Sequence, residues 1–345
     1  MSLKRIAEMT GVSPSTVSRV LNNVSSTCAS KEVRDKIFAA AREIGYQPNQ
    51  NARNLKNPSK VSEPGRHVSI VLARIKSLDD DPFFYELFRS LEITLFENQM
   101  TIDHIVYAEE TLSKNSTEHA KKKRHILSDI ASSQGVIILG RCSTQLLTQI
   151  LSFNSNVVGI WRNSMNFHVD EVICDGQKAA ELAMNHLLLL GHRKIAYIGD
   201  CSYESRYVGY CTSLISHNLP INYDWIRPTD QTGESAASAF SGLIDEAGDF
   251  TAVFCANDVT AIQVLKILKK NARKIKRKVS VISIDDIEES ENASPFLTTI
   301  HIPRKEMAHM AVTLLLDRIA KGHTETVRIE FPCRIVNRSS CYPEI

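Results

Sequence analysis

From residue 68 onward, apolar runs of strand length alternate with amphipathic helices, and no other feature limits the fold as tightly. Strand patterns are read at 68–73, 101–106, 135–140, 157–161, 171–175, 194–200, 251–257 and 280–285. Helical periodicity is read at about 83–97, 117–133, 145–152, 176–190, 205–217, 233–247, 258–271 and 303–320. Such alternation implies an α/β fold with parallel sheets. No short-period repeat is found. No apolar run approaches the roughly 18 residues that a membrane helix needs. The start, Met1-Ser2-Leu3-Lys4, lacks the apolar core of a signal peptide. The expectation is a cytoplasmic protein with no membrane partner.

The first sixty residues read differently. The net charge of +2 hides an asymmetry. Residues 1–60 carry ten Lys/Arg against four acids, a charge of +6, whereas the remainder carries 31 against 35, a charge of −4. A basic head on a mildly acidic body suits a polyanionic partner, although a solvated basic face would give the same count. Leu3, Ile6 and Ala7 share one helical face. Gly11 suits a tight turn, Ser13 an N-cap, and Pro14 the first position of a second helix. That helix buries Val17, Val20 and Leu21, and turns Ser15, Thr16, Ser18, Arg19 and Asn22 outward. A third helix starts at a Ser30 cap, buries Val33, Ile37, Ala40, Ala41 and Ile44, and stops at Gly45. Three short helices with a glycine turn between the first two make a helix-turn-helix head. Its second helix is the one suited to a major groove, where Arg19 could bond a guanine edge. A three-helix protein-binding module has the same composition.

The run Ile6 to Asn22, I-A-E-M-T-G-V-S-P-S-T-V-S-R-V-L-N, resembles the signature of the LacI/GalR family of transcriptional repressors. The resemblance implies that Leu3, Ser15, Thr16, Ser18, Arg19, Asn22 and Tyr46 touch DNA. Pro14 stands where the family usually has a base-reading side chain, so part of that readout is lost or moved. Tyr46 to Leu55, Y-Q-P-N-Q-N-A-R-N-L, is similar to the family's hinge motif. By that resemblance Asn49, Ala52 and Leu55 belong to a segment that becomes helical when two copies pair over the operator. Leu55 would then wedge into the minor groove, at an unstacking cost of a few kcal/mol offset by new contacts. The alternative is that Leu55 packs on its own head. The domains expected are a head at 1–47, a hinge and polar linker at 48–66, and a sensor at 67–345.

The sensor also resembles the family. Gly191-His192-Arg193-Lys194-Ile195-Ala196-Tyr197-Ile198-Gly199, Ala256-Asn257-Asp258, Val279 to Asp286 and Leu297-Thr298-Thr299-Ile300 match its segments, with Ser283 where glycine is usual and Lys278 where aspartate is usual. The resemblance implies two Rossmann-like lobes of the periplasmic-binding-protein kind, one about 67–161 plus 302–322, the other about 162–290 plus 325–345. Ligands of such sheets bind beyond the strand C-termini, here between the lobes. Phe83 and Phe84 follow the first strand and could face the cleft or the core. Trp161 sits where the first crossover is expected, as a stacking surface or a structural residue. Arg206 falls in an R-x-x-G-Y match, where the family's arginine bonds ligand hydroxyls or a carboxylate. Asp285 would accept hydroxyls by analogy and Asn257 similarly, with Asp258 read as the cap of the next helix. Asp175 could serve only its own loop.

No catalytic motif is found, neither G-x-S-x-G, H-E-x-x-H, a Walker loop nor G-x-G-x-x-G. His186 and His192 have poor metal spacing. The eight cysteines are scattered without a C-x-x-C pair, so reduced and mostly buried thiols are expected. No cofactor and no metal are expected, and no enzyme activity. The partners expected are near-palindromic operator DNA, a second copy in a homodimer, and a small-molecule effector. By likeness of the Asp79–Tyr85 loop to repressors of β-galactoside use, that effector is read as a galactose-containing sugar. The alternative is a nucleobase or phosphorylated metabolite acting as co-repressor.

Overall fold

The computed structural model describes residues 3–21, 29–44, 46, 66–108, 126–161, 169–202, 204–246, 249–272, 275 and 277–344. The hinge, most of the linker, Asn22, Asn49, Ala52, Leu55 and the first part of the 117–133 helix therefore lie outside the described residues.

The head is three helices, α1 (Leu3–Thr10), α2 (Pro14–Leu21) and α3 (Lys31–Glu43). Gly11 makes the turn at φ 69°, a conformation that favours glycine. The Ser13 hydroxyl accepts from Thr16 N at 3.1 Å, and the Ser30 hydroxyl accepts from Val33 N at 3.4 Å, so both expected caps are in place. Ile6, Ala7, Val17, Val20, Leu21, Ile37, Phe38 and Ala41 close a small apolar core.

The body has two six-stranded sheets. The first is built from β1 (Arg66–Leu72), β2 (Met100–Tyr107), β3 (Gly135–Leu139), β4 (Val157–Trp161), β5 (Asp170–Ile173) and β11 (Arg328–Glu330), in the order β11-β5-β4-β3-β1-β2, all parallel. The second is built from β6 (Ile195–Gly199), β7 (Ile226–Pro228), β8 (Ala252–Cys255), β9 (Ser280–Asp285), β10 (Thr298–His301) and β12 (Arg334–Val336), in the order β12-β10-β9-β8-β6-β7. Only the β10–β12 pair is antiparallel. Helices α4 (Pro82–Glu97), α5 (Thr144–Phe153) and α11 (Arg304–Ile319) cover the first sheet; α6 (Gly176–Leu189), α7 (Ser205–Ser216), α8 (Gly233–Glu246), α9 (Asp258–Lys270) and the short α10 (Glu288–Glu291) belong to the second. The central strands β3, β4, β6, β8 and β9 are buried along their whole length, which is why they read as continuous apolar runs.

Two expectations need correction. The lobe boundary does not fall after Trp161. Strands β5 and β11 pair with each other inside the first sheet, Ile173 opposite Glu330, so the chain leaves the first lobe after β5 and again after β11. The lobes are thus joined by passes at 174–175, 302–303 and 331–333. Nor is Asp258 the cap of its helix. The cap is Asn257, whose Oδ1 accepts from Thr260 N at 3.0 Å.

Asp258 has a larger role. It is fully buried, and four donors close on it: Ser283 Oγ at 2.5 Å, Thr299 Oγ1 at 2.6 Å, Ile287 N at 3.0 Å and Ser290 Oγ. Ser283, the departure from the family's glycine, is one of these donors. Burial pushes the Asp258 carboxyl up, and the four donors pull it back. The hub fastens α9, β9, β10 and the α10 turn together.

The head packs on the first lobe through α3 and α4. Tyr85 Oη donates to Asp35 at 2.7 Å, Lys31 pairs with Asp79 at 3.4 Å, and Arg89 and Arg42 share Glu92. Ile93 and Phe96 of α4 join the head's apolar core, and Tyr46 stacks on Phe96 with ring centroids 6.1 Å apart. Among the described residues no helix is long and apolar enough to cross a membrane.

Asp258→Ala leaves three hydroxyls and one N–H buried without an acceptor, and each such group costs about 1–3 kcal/mol. The expected loss is at least about 3 kcal/mol in the unfolding of the body, read from urea denaturation midpoints. Asp258→Asn, which keeps one acceptor oxygen, should lose less. A change under about 1 kcal/mol for the alanine variant would remove the hub from the account.

Candidate functional site between the lobes

Open α/β sheets form a crevice where strand order reverses. In the first sheet that point lies between β1 and β3, and in the second between β6 and β8. The loops leaving these strands face one another across a cavity of about 660 Å³. That volume suits a small metabolite.

The floor on the second lobe is organised by Arg206. Its side chain is 2% exposed, and its donors are committed in three directions. Nε bonds Glu204 Oε1 at 3.0 Å, Nη1 bonds Ala256 O at 2.6 Å, and Nη2 bonds Gln231 Oε1 at 2.8 Å. Burial works against the charged guanidinium, but Glu204, together with Tyr197 and Asp285, raises its pKa on balance. Glu204 is in turn the N-cap of α7. Gln231 sits at φ 68°, strained for a residue with a side chain, and its Nε2 is buried with no hydrogen-bond partner. Asn257 Nδ2 donates to Gln231 O at 3.2 Å and helps to hold that strained turn.

Asp285 ends β9 at φ 131°, a second strained position in the cleft wall. Arg304 donates to the backbone oxygen of Asp285 and, at 2.7 Å, to that of Asp286. The same guanidinium pairs with Glu86 of α4 at 2.8 Å and lies over the Phe83 ring at 5.6 Å. Asp286 accepts from His301 Nδ1 and Arg338 Nη2, each at 2.7 Å.

The first-lobe wall carries cations. Arg74 and Lys76 follow β1, Arg141 follows β3, and all three line the cavity. Arg74 reaches across it, 3.9 Å from Asp200 and 3.8 Å from Glu204. The second lobe answers with carboxylates, Asp200, Glu204, Asp230 and Asp285. Charge is segregated by lobe only in part, since Asp80 and Asp81 line the first-lobe side and Arg206 the second.

All six expected effector residues line the cavity, though not equally. Phe84 is half-buried at the wall, and a Cβ on Gly140 would come within 2.9 Å of its ring, so glycine there makes room for it. Phe83 is mostly core, edge-on to Phe84 at 5.5 Å. Trp161 is 4% exposed. Its Nε1 donates to Glu171 at 3.2 Å and its ring packs over Gly159, so it is a structural residue with an edge in the cleft. Asp175 caps α6, accepting from Gln177 N at 2.8 Å, and serves its own loop. Arg74, Lys76, Arg141, Gln231, Glu204 and Asp230 were not read from the sequence. The signal that could have found them is their position in loops directly after strands. Among the described residues no cluster of three or more His, Cys, Asp and Glu is arranged to hold a metal. His192 is a buried fastener that meets Thr251 Oγ1, Ser280 Oγ and Tyr342 O, each at 2.9 Å.

In the head, Ser15 and Arg19 are exposed, with Thr16 and Ser18 half-exposed beside them. Arg19 Nε donates to Ser15 O at 3.3 Å, laying the guanidinium along the outer face of α2. Leu3 is half-buried, and Tyr46 is 9% exposed and packed against Phe96.

Comparison with known proteins agrees with this organisation. A family model described as bacterial regulatory proteins, lacI family, matches residues 2–49, and a periplasmic binding protein-like domain matches residues 184–341. A repressor from Aliivibrio salmonicida described as HTH-type transcriptional repressor PurR is 27% identical over 352 residues, 99% of each chain. The structure of a transcriptional regulator CelR–cellobiose complex superposes with a TM-score of 0.69 at 25% identity, over 99% of this chain and 100% of that one. The lac repressor dimer bound to operator and the anti-inducer ONPF superposes with a TM-score of 0.67 at 23% identity, over 99% of both chains, and shows the same fold. The head thus carries the domain of the lacI family of bacterial regulatory proteins, and the body a periplasmic binding protein-like domain.

Proposed function

We propose that this protein represses transcription as a homodimer on near-palindromic operator DNA, and that a nucleobase or phosphorylated metabolite in the interlobe cleft sets its DNA affinity. The observation that carries the effector reading is the make-up of the cleft. A mixed floor of donors and acceptors, Arg206, Gln231 Nε2, Asn257 and Asp285, faces a wall with three cations, Arg74, Lys76 and Arg141, and two carboxylates, Asp80 and Asp81, that serve their own turn and helix cap. A floor of that kind suits the hydrogen-bonding edge of a base, and the wall suits a phosphate. The name PurR carried by similar repressors points the same way, toward purines. A neutral sugar, the galactose-containing ligand expected from the loop likeness, makes less use of the cations. It stays as the second reading because a structural neighbour holds cellobiose and because Asp230 and Asp285 could accept hydroxyls.

On the DNA side, α2 would enter the major groove with Arg19 and Ser15 leading and Thr16 and Ser18 beside them. Asn22, Asn49, Ala52 and Leu55 complete the proposed contact set, with Leu3 and Tyr46 supporting α2 and the hinge from the head core. The domain division proposed is a head to residue 47, a hinge and linker to 66, and the two-lobed sensor from 67.

Arg19→Ala should weaken operator binding by about 1–3 kcal/mol, roughly 5- to 150-fold, with an unchanged melting temperature. A gel-shift titration with unchanged affinity would take the base contact away from Arg19.

A thermal-shift panel of purine bases, sugar phosphates and galactosides tests the cleft. A ligand at 100 times its Kd should stabilise by about 2.7 kcal/mol. Gln231→Leu should weaken a base or sugar hit about tenfold by removing a buried donor. Arg141→Ala should weaken only phosphorylated ligands. A shift given by galactosides alone would replace the proposed effector class with the sugar reading.

A further inference from the structure

Two of the three passes between the lobes carry a cysteine. Cys174 follows directly on the end of β5, and Cys333 directly precedes β12. Because β5 and β11 are parallel neighbours, the two passes leave the first lobe side by side, with Phe331 N bonded to Ile173 O at 2.9 Å. Cys333 packs against the apolar cluster that holds Cys174, and the two side chains are neighbours. Cys174 is buried, whereas Cys333 is half-buried and open to solvent on one side.

The surroundings distinguish Cys333 from the other thiols. Lys178 Nζ grips Glu330 at 2.5 Å, reaches Asp175 at 3.9 Å, and stands in electrostatic range of Cys333. The Cys174 hydrogen bond holds the Cys333 thiol below its ordinary value, against burial and the carboxylates of Asp175 and Glu330. Burial moves five other thiols the opposite way: Cys142 and Cys201 to about 11, Cys341 to about 12, and Cys211 and Cys255 upward. Reactivity toward peroxides follows thiolate character and access, and a sensing cysteine needs a resolving thiol beside it. Among the described residues only Cys333 joins a lowered thiol, an open side and a neighbouring second thiol.

We propose that Cys174 and Cys333 form a reversible disulfide when the protein meets a hydroperoxide, tying two of the three interlobe passes together. The Cys333 thiolate attacks one peroxide oxygen, the O–O bond breaks, and the departing hydroxide takes a proton to become water. This leaves a sulfenic acid on Cys333. The Cys174 sulfur then displaces its hydroxyl, the S–O bond breaks as the S–S bond forms, and the Cys174 proton leaves with the second water. Two thiols lose two electrons and one hydrogen peroxide gains them, giving one disulfide and two waters. A dithiol reductant reverses the step.

Hinge motion is absorbed by backbone rotation in a few connecting residues. A covalent bond between residues 174 and 333 removes much of that freedom from two of three connections. The oxidised protein should therefore hold its lobes more rigidly. If the cleft controls DNA affinity as proposed above, the effector response should also shrink; that consequence rests on the functional reading, and the disulfide does not.

The experiment treats the full chain with hydrogen peroxide, blocks remaining thiols, and maps peptides by mass spectrometry. The expected product is a Cys174–Cys333 linked peptide with two thiols lost per chain, restored by dithiothreitol and absent from Cys333→Ser. Cys174→Ser should instead drive Cys333 to sulfinic acid. Hydrogen exchange over 331–333 should slow on oxidation in the native sequence and not in Cys333→Ser, whose half-buried site tolerates serine. Sulfenic or sulfinic acid at Cys333 of the native sequence without the linkage, or linkage through other cysteines first, would overturn the proposal. Linkage without slower exchange would overturn the stapling of the passes. An effector response missing from the reduced protein would instead count against the functional reading and leave the mapped linkage standing.

Discussion

The cleft depends on a single buried cation. A guanidinium with almost no access to water must find its partners inside the protein, or the fold bears several kcal/mol of uncompensated charge. Arg206 finds them on three separate segments: Glu204 at the start of α7, the Ala256 carbonyl beyond β8, and the Gln231 amide in the loop before α8. Those partners are the loops that leave the second sheet around its strand reversal. Satisfying one charge therefore fixes the geometry of the whole floor. It also explains why Gln231 tolerates a left-handed backbone: its Oε1 is held by Arg206 and its carbonyl by Asn257, which leaves Nε2 aimed at whatever fills the cavity. Backbone strain of this sort costs of order 1–3 kcal/mol and persists only where the surroundings over-determine it.

The same logic repeats at Asp258 with the sign reversed. A buried carboxylate collects hydroxyls and an N–H from four places in the second lobe, and Ser283 is present because that carboxylate needs donors. Taken alone, Ser283 read as a departure from the family pattern. In the fold it is one half of a pair whose other half lies in the preceding helix.

Much of the architecture was legible because long buried strands and capped helices carry local signals. All eight expected strands exist, within two residues or so at each end, and the head helices start at Ser13 and Ser30 as their side chains dictate. The omissions share a physical cause. Strands β7, β10, β11 and β12 have three or four residues each and gain their pairing from distant segments, so local periodicity is silent about them. The misplaced lobe boundary follows from this, since β5 belongs to the first sheet partly through β11, which lies far along the chain. In the site, Arg206, Asn257 and Asp285 were legible through motif positions. The wall of Arg74, Lys76 and Arg141 was not, because it is assembled from two loops that become neighbours only when β1 and β3 pair. For Trp161 the sequence left a stacking surface and a structural role equally open, and the fold adds Gly159 beneath the ring and Glu171 beside it while an edge still lines the cavity.

Helix α4 connects the two ends of the molecule's chemistry. Its first turn, capped by Asp81, holds Phe83 and Phe84 at the cleft, and Glu86 one turn later receives Arg304 from the interlobe pass. Further along, Arg89 and Glu92 pair with Asp35 and Arg42 of the head, and Ile93 and Phe96 enter the head's apolar core. Sixteen residues of helix thus span from the effector wall to the DNA-binding unit, without a flexible segment between. A helix transmits displacement as a rigid rod, so a rotation of the lobes that shifts Arg304 against Glu86 moves the surface on which α3 rests. Packed interfaces switch between discrete arrangements and do not deform smoothly. A difference of only about 1–3 kcal/mol between those arrangements suffices for regulation. The charged contacts of α3 on α4 weigh toward the docked arrangement: Glu92 is 5% and Arg89 14% exposed, and separating so buried a pair costs more than the roughly 0–1 kcal/mol of an exposed one.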